Sequence, residues 1–447
     1  MKTKMHNKIG GVLVLVMALV LVMGGLGAGL MKLGAGASFE STYAISDANA
    51  FWAAEAGMER AKTIGQMKRK GYSVILHPSG SGTLIDNVLK GTNSASKATY
   101  VVSIVDDPDW INNKALKKYI IISEGISQGG SIRTNKIKAK LLNYAGYMHA
   151  SHLENGVAFA TGDRIDGPVH TDDQIHIRGT PLFTREVSSS TNKVDYKTYS
   201  GSAWNPTANQ IKAIFTNGIT LNVKQLDIQG QFGDHIADMH VESQSGGVTL
   251  DGSAAGNYNF TFKSDGSVVY SNRSTHVVDS RNLSALTGPI YVNGDVYVQG
   301  VVKGNVTLAA QRNVYIASNI VYESASGAHL SPWASSFNIN NVTDMLGLMA
   351  SNSVVIQNTN SIQIHASIMI TGGGLGATNW DQNIGNKTNF VFGGISQYSR
   401  GSIGKLKTVG STTTFLGFHK NYKFDTRFED DAPKSFPPSF YEFSSWQ

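Results

Sequence analysis

Between Lys8 and Lys32 the chain carries no charge, and Ile9–Met31 is an unbroken run of aliphatic residues, methionine and glycine. As a helix rising about 1.5 Å per residue, this run extends roughly 35 Å, enough to cross a bilayer core of about 30 Å. Past Lys32 the pattern becomes amphipathic. Ala44, Ala48, Phe51, Ala54, Met58 and Ala61 recur every three or four residues, with Glu40, Asp47, Glu59, Arg60 and Lys62 off that stripe. The pattern predicts one long helix, half in lipid and half against a globular head, with residues 40–75 as its extramembrane part. Gly25 and Gly29 form a GxxxG spacing that lets helix backbones approach closely. With Phe51, Trp52 and Glu55 they are the candidate helix-packing residues. Ala35-Gly36-Ala37 has the form of a signal-cleavage site, but a cleaved signal carries an apolar stretch of only about 7–15 residues. A retained span is therefore the reading adopted. Lys2, Lys4 and Lys8 place the N-terminus in the cytoplasm and the body outside.

Strand patterns follow. Tyr100–Val105 ends at Asp106-Asp107-Pro108, Lys118–Ser123 ends at Glu124-Gly125, and Ser131–Leu141 alternates apolar or small residues with polar ones. Three short strands after a helix predict an antiparallel meander laid on it. Asp106, Asp107 and Asp109 lack the spacing and the distal glutamate of a calcium loop and read as a solvated turn.

The second half has another texture. Gly167–Gly179 aligns without a gap on Gly288–Gly300, with Gly167/Gly288, Pro168/Pro289 and Gly179/Gly300 coinciding. Val169/Ile290, Ile175/Val296 and Ile177/Val298 are aliphatic in both copies. This is an internal repeat with glycine and proline corners. Short aliphatic strands continue through Val301–Tyr322 and Val354–Ile370. Such strands bury their inner faces by stacking, which predicts a parallel β-helix-like domain; a β-sandwich is the alternative, because period-two strands do not reveal their partners. Thr184–Trp204 reads as a loop and Phe215–Val223 as a further rung. Tyr258–Phe262 and Val268–Tyr270 flank Ser264-Asp265-Gly266 as a hairpin, and Thr343–Ala350 is a second helix candidate. The aromatic, proline-containing end, Phe424–Phe428 and Phe436–Tyr441 through Trp446, reads as a cover for an open strand edge, with a partner-binding tail as the other option. The expected fold class is mainly β. Its expected parts are a stub and transmembrane helix (1–38), a pilin-like helix with meander (39–148), an interrupted β-helix-like domain (149–423) and a C-terminal cap (424–447).

Composition narrows the chemistry. Charged residues are 16%, there are 48 glycines, and cysteine is absent, which excludes disulfides and thiolate metal sites. A net charge of +6 without an aromatic-interleaved basic stripe gives no reason to expect nucleic acid. Thr371–Ala377 matches G-x-G-x-x-A but lacks the following helix and acid of a dinucleotide site. Asp172 and Asp173, near Asp163 and Asp166, are the carboxylates a glycosidase reading would use. Adjacent strand residues point to opposite faces, however, and the repeat places Asn293-Gly294 at the same two positions, as a turn would. The histidine pairs read as surface or core: His149/His152 would share a face only on a helix, His170/His176 lie about 20 Å apart on one extended strand, and His235/His240 have no set geometry. No enzyme, cofactor or metal is expected.

The aliphatic entry after Lys8, the block Ala50-Phe-Trp-Ala-Ala-Glu-Ala-Gly57 and the following meander together resemble the N-terminal part of PilX-type pilus assembly proteins, over about residues 8–142. The resemblance implies a minor, pilin-like subunit and a prepilin-type cut between Gly10 and Gly11. The fifth residue after that cut is Leu15, where major pilins have glutamate, which points away from an ordinary mid-filament subunit. The stretches 167–179 and 288–446 resemble an uncharacterised β-helix-like domain of bacterial envelope proteins. The expected function is a membrane-anchored structural subunit of a type IV pilus or a related secretion or adhesion apparatus. An envelope scaffold or polymer-forming β-helix is the alternative, and a polysaccharide-active enzyme a third. Expected partners are the inner membrane, other pilin-like subunits or self, and a surface polysaccharide or host surface.

Overall fold

The computed structural model describes residues 7–67, 90–92, 96–106, 118–141, 144–226, 235–250, 256–325, 337–357, 360–380, 387–410, 412–429, 432–437 and 441–443. Lys2, Lys4, residues 68–75 of the helix candidate, Asp107–Asp109 and Trp446 lie outside them. The chain is mainly β, with one long N-terminal helix and extensive parallel sheet.

The helix α1 (Asn7–Met67) has 61 residues, a rod of about 90 Å. Only its last third is packed. Ala50, Ala53, Ala54, Met58 and Ala61 are buried against an antiparallel sheet of strands β1 (Lys90–Thr92), β2 (Thr99–Asp106), β3 (Lys118–Ile126) and β4 (Ile132–Leu141). The expected meander is thus present. Of the expected stripe, Ala54, Met58 and Ala61 are buried, whereas Ala44, Ala48 and Phe51 are exposed. Close backbone approach explains the difference. A Cβ on Gly125 would strike the carbonyl of Ala50 and the amide of Ala54, and one on Gly57 would strike Ser123 and Tyr100. A face that near the sheet admits alanine and glycine, and Phe51 is turned outward.

The second half is built from parallel ladders. In the longest, the order is Val248–Leu250, Ile290–Val292, Asn305–Ala310, Met345–Ala350, Ile362–Ile370, Lys387–Ser399, His149–Leu153, Val169–Thr171, Val187–Ser189 and Ile219–Thr220. Chain order and spatial order differ. The chain enters the ladder in the middle at His149, runs to one end at Thr220, crosses to the other end at Val248, and returns to the middle at Ser399. The halves join where Ile395 pairs with His149. The two repeat copies therefore sit in opposite halves of one ladder. A second ladder stacks Tyr258–Phe262, Val296–Val302, Val314–Tyr322, Val354–Ile356 and Leu375–Ala377. A third joins Ile362–Ile370, Lys387–Ser399, Thr412–Phe424, Arg164–Asp166 and Leu182–Phe183. Inward columns are apolar: Ile290, Leu308, Leu348, Ile368 and Ile395 are in register and buried, as are Ile320, Ile364, Val391, Tyr422, Ile165 and Phe183.

The crossing segment covers the outer face of the longest ladder. Its Leu226 amide donates to Asp172, its helix His235–Ser243 buries Ile236 and Met239, and His240 lies 4.7 Å from the Tyr291 ring. The outward residues Tyr291, Ala309, Met349, Met369 and Ser396 are buried too: the crossing helix lies on the strands of the first two, Phe436 packs on Gly347 beside the third, and Ser396 donates to the Tyr144 carbonyl. This corrects the helix expected at Thr343–Ala350: Met345–Ala350 is a strand whose six residues are all buried. A strand covered on both faces loses its alternation and reads as a plain apolar run. The hairpin around Ser264–Gly266 forms as expected. The C-terminal segment packs Phe436 onto Gly347 and Thr307, on a face of the ladder, and its strand Tyr441–Phe443 covers the β4 edge of the first sheet. The edge it covers belongs to the meander.

Candidate functional site

Among the described residues one helix is long and apolar enough to cross a membrane, and its apolar window has no buried residue. Gly10 and Gly11 lie in its first turns. Gly25 and Gly29 stand on bare helix surface, with no atom within 4 Å of the position a Cβ would take. Phe51 and Trp52, 40% and 64% exposed, pair edge to face at 5.4 Å on the side away from the sheet. Glu55 faces inward instead: it accepts from Asn135 Nδ2 at 3.3 Å, and burial raises its pKa. Four of the five predicted packing residues thus share one helix's unpartnered surface, and the fifth belongs to its seat. That seat is fastened at the end nearer the apolar run. Arg133 donates through Nε and Nη2 to the two Asp47 oxygens, both at 2.6 Å, and this hydrogen-bonded pairing holds the Asp47 carboxyl below its usual pKa. Ser46 Oγ meets Ser127 Oγ at 2.7 Å and Ser131 Oγ at 2.8 Å.

The head holds a charged cluster that no sequence spacing announced. At the joint between the ladder halves, His149 takes the place of an aliphatic residue in the column between Ile395 and Val169. Its Nε2 lies 3.4 Å from Glu154 Oε1, which also accepts from Ser151, while Arg400 Nη1 donates to Glu154 Oε2. One step along, Lys420 Nζ and the Lys420 amide donate to Asp163 at 2.9 Å each. The Arg400 guanidinium lies 3.6 Å from the centre of the Phe159 ring. Burial alone would raise both carboxyl pKa values. Arg400, His149 and Ser151 outweigh it and hold Glu154 well below the usual carboxylate range; Lys420, His419 and backbone amides hold Asp163 at about 2. Burial pushes His149 downward, towards the neutral ring. The cavity left beside these groups is about 10 Å³, room for one water at most. The arrangement joins two chain segments far apart in the sequence.

The carboxylates a glycosidase would need are used structurally. Asp172 takes His170 Nε2 at 3.0 Å, His152 Nδ1 at 3.1 Å and the Leu226 amide at 2.8 Å, so it ties the crossing segment to the ladder. Asp173 accepts from the Glu154 amide. Asp166 accepts from Thr184 Oγ1. His149 and His152 lie on a strand, not a helix, and His170 and His176 lie on different strands after a bend at Asp172-Asp173, so no single extended segment carries both. His235 and His240 share the short crossing helix. No group of three or more His, Asp or Glu able to hold a metal occurs among the described residues. The glycines before Leu375 serve stacking: a Cβ on Gly373 or Gly374 would strike the carbonyl of Asn352 or Ser399.

The repeat corners play matched parts. The Pro168 carbonyl accepts from the Met148 amide at 2.9 Å, and the Pro289 carbonyl from the Val248 amide at 3.1 Å. Gly179 and Gly300 both have positive φ, 73° and 115°, which glycine adopts without strain. Gly167 and Gly288 both sit where a Cβ would meet neighbouring atoms, Met148 and Phe424 for the first and the Glu242 carbonyl for the second. No family model, curated protein or solved structure matches this chain.

Proposed function

We propose that this chain is a membrane-anchored, pilin-like structural subunit of the bacterial cell envelope, of the PilX type its N-terminal third resembles, displaying a β-helix-like head outside the inner membrane. One observation carries the reading: of the 61 residues of α1, those that touch the sheet begin at about Ser46, and the stretch Gly11–Met31 is apolar and almost wholly bare. Exposed apolar surface on this scale needs lipid or other helices around it. The span Ile9–Met31 suits lipid. The exposed positions Gly25, Gly29, Phe51 and Trp52, spread around the helix, suit neighbouring helices of the same kind. The parallel ladders suit coils of a β-helix, an architecture that carries a broad, stiff surface on a short length of chain. A head of that bulk favours a tip or initiating position over a repeated one, consistent with Leu15 at the fifth place after Gly10. The buried state of the Glu154 and Asp163 clusters supports a structural head over a catalytic one.

The chain has no cysteine, so single cysteines report cleanly. Cysteines at Gly25 and Gly29, crosslinked in native membranes and identified by mass spectrometry, should capture other pilin-like subunits, and N-terminal sequencing should find a start at Gly11. Adducts formed with self-copies alone would replace this reading with that of an envelope scaffold. A start at Ser38 would remove the anchor.

A further inference from the structure

Away from α1, the hairpin Tyr258–Phe262/Ser267–Asn272, the strand Val278–Asn282 and the ladder-end strand Val248–Leu250 enclose a groove of about 500 Å³, open on one side. That is the size of a small-ligand site. Its walls combine ring surface with hydrogen-bonding groups. Tyr258 and Tyr270 supply the rings, and Asn272, Thr275, Asp279 and Arg281 supply the polar groups. The charges are already matched: Asp279 accepts from Tyr270 Oη and from Arg281 Nη1, both at 2.8 Å. Burial and Asp279 push the Tyr270 hydroxyl up to about 12, so it remains a donor. Asn272 is 4% exposed. Its Oδ1 accepts from the Ser274 and Thr275 amides at 2.8 and 3.0 Å, whereas its Nδ2 makes no hydrogen bond among the described residues. The Nδ2 donors are unused by the protein and, since Asn272 lines the groove, are available to an acceptor placed in it. The Tyr258 hydroxyl likewise has no hydrogen-bond partner among the described residues.

We propose that this groove binds a segment of neutral oligosaccharide, with a sugar face on the Tyr258 ring and sugar hydroxyls accepting from Asn272 Nδ2 and the Tyr258 hydroxyl. The choice follows from the lining. An ionic ligand meets no unmatched charge, because Asp279 and Arg281 satisfy each other. A wholly apolar ligand would bury Asn272 and the ion pair without compensation. A sugar offers an apolar C–H face and a polar hydroxyl edge, the same two kinds of surface the groove presents. The exposed Val277 at the rim extends the apolar side. This site is independent of the anchoring role and stands or falls separately from it.

The test uses the full-length protein in detergent on an array of neutral hexose and N-acetylhexosamine oligosaccharides, with sialylated and sulfated glycans alongside. Neutral glycans should be retained. Tyr258→Ala should weaken retention about tenfold. Asn272→Asp, which keeps the loop-capping oxygen and removes the Nδ2 donor, should weaken it comparably. Val409→Ser, on a different hairpin, should bind like the wild-type protein. Thermal melts establish that each variant is folded. Retention of charged glycans only, no retention by a folded wild-type protein, or binding indifferent to both groove variants would each overturn the proposal.

Discussion

Arg400 Nη1 donates to Glu154 Oε2 across 246 positions of sequence, and both side chains are within 2% of complete burial. The pair sits where the parts of the ladder that come earliest and latest in the sequence lie side by side. An all-aliphatic joint would let many strands pair there; a buried charge accepts only the neighbour that neutralises it. The His149 ring in the aliphatic column marks the same joint.

Arg400→Leu should therefore be severe. It leaves the Glu154 carboxylate buried without its cation, at a cost of about 3–5 kcal/mol. Arg400→Leu combined with Glu154→Leu should recover most of that loss, because no charge is then stranded. Urea denaturation followed by tryptophan fluorescence measures both. A single variant as stable as the wild-type protein would show that the joint is held by its apolar contacts alone.

Acid should weaken the head in two stages. Burial lowers the His365 pKa from 6.5 to about 3, so below pH 6.5 the unfolded chain takes up a proton that the folded chain refuses. Stability should fall from that point downward, by several kcal/mol if the full window is traversed. Asp163 is depressed in the folded state, from 3.8 to about 2, so its contribution is complete above about pH 4 and is lost as pH falls towards 2. Chemical denaturation midpoints between pH 8 and 3 should show the first decline, and His365→Leu should make it shallower, the remainder coming from the buried His149. A flat profile in the wild-type protein would contradict the burial of His365.

Much of the fold was legible, for reasons that particular residues make plain. Ile9–Met31 needed only length and lack of charge. The hairpin at Asp265-Gly266 needed only turn chemistry. The repeat at Gly167 and Gly288 announced stacked parallel strands, and both copies use their prolines and last glycines alike. Burial on two faces hid the strand Met345–Ala350, since alternation vanishes when another segment, here with Phe436 on Gly347, covers the outer side. The helix stripe was misjudged at Phe51, because hydrophobic size outweighed the backbone approach at Gly125 that only the fold reveals. Glu154, Asp163, Arg400 and Lys420 carried no local signal at all. Their partners lie about 250 positions away, and no local pattern says which strands will meet.

The seat of α1 should be intolerant of any side chain at Gly125. Gly125→Val places methyl groups against the Ala50 carbonyl and the Ala54 amide, where neither backbone can retreat without breaking helical hydrogen bonds. The expected cost is about 1–3 kcal/mol, concentrated in the docking of residues 50–61. Hydrogen–deuterium exchange should show faster exchange in that stretch, with the head's core strands unchanged. Protection in α1 equal to that of the wild-type protein would mean that the sheet sits farther from the helix than described.

Trp52→Ala separates the two surfaces of the same helix. Trp52 is 64% exposed and touches Phe51 rather than the sheet, so its removal should change the stability of the isolated protein by less than about 0.5 kcal/mol. If the exposed face docks on neighbouring helices, as we propose, the same change removes a large aromatic contact from each junction. Crosslinking yield between cysteines at Gly29, measured in membranes, should then drop several-fold while the melting temperature holds. Met58→Ala is the converse: Met58 is fully buried against the sheet, so its truncation should lower the melting temperature, at about 2–5 kcal/mol, and affect assembly only through unfolding. Equal effects of the two variants on both readouts would mean that the face bearing Trp52 has no partner of its own.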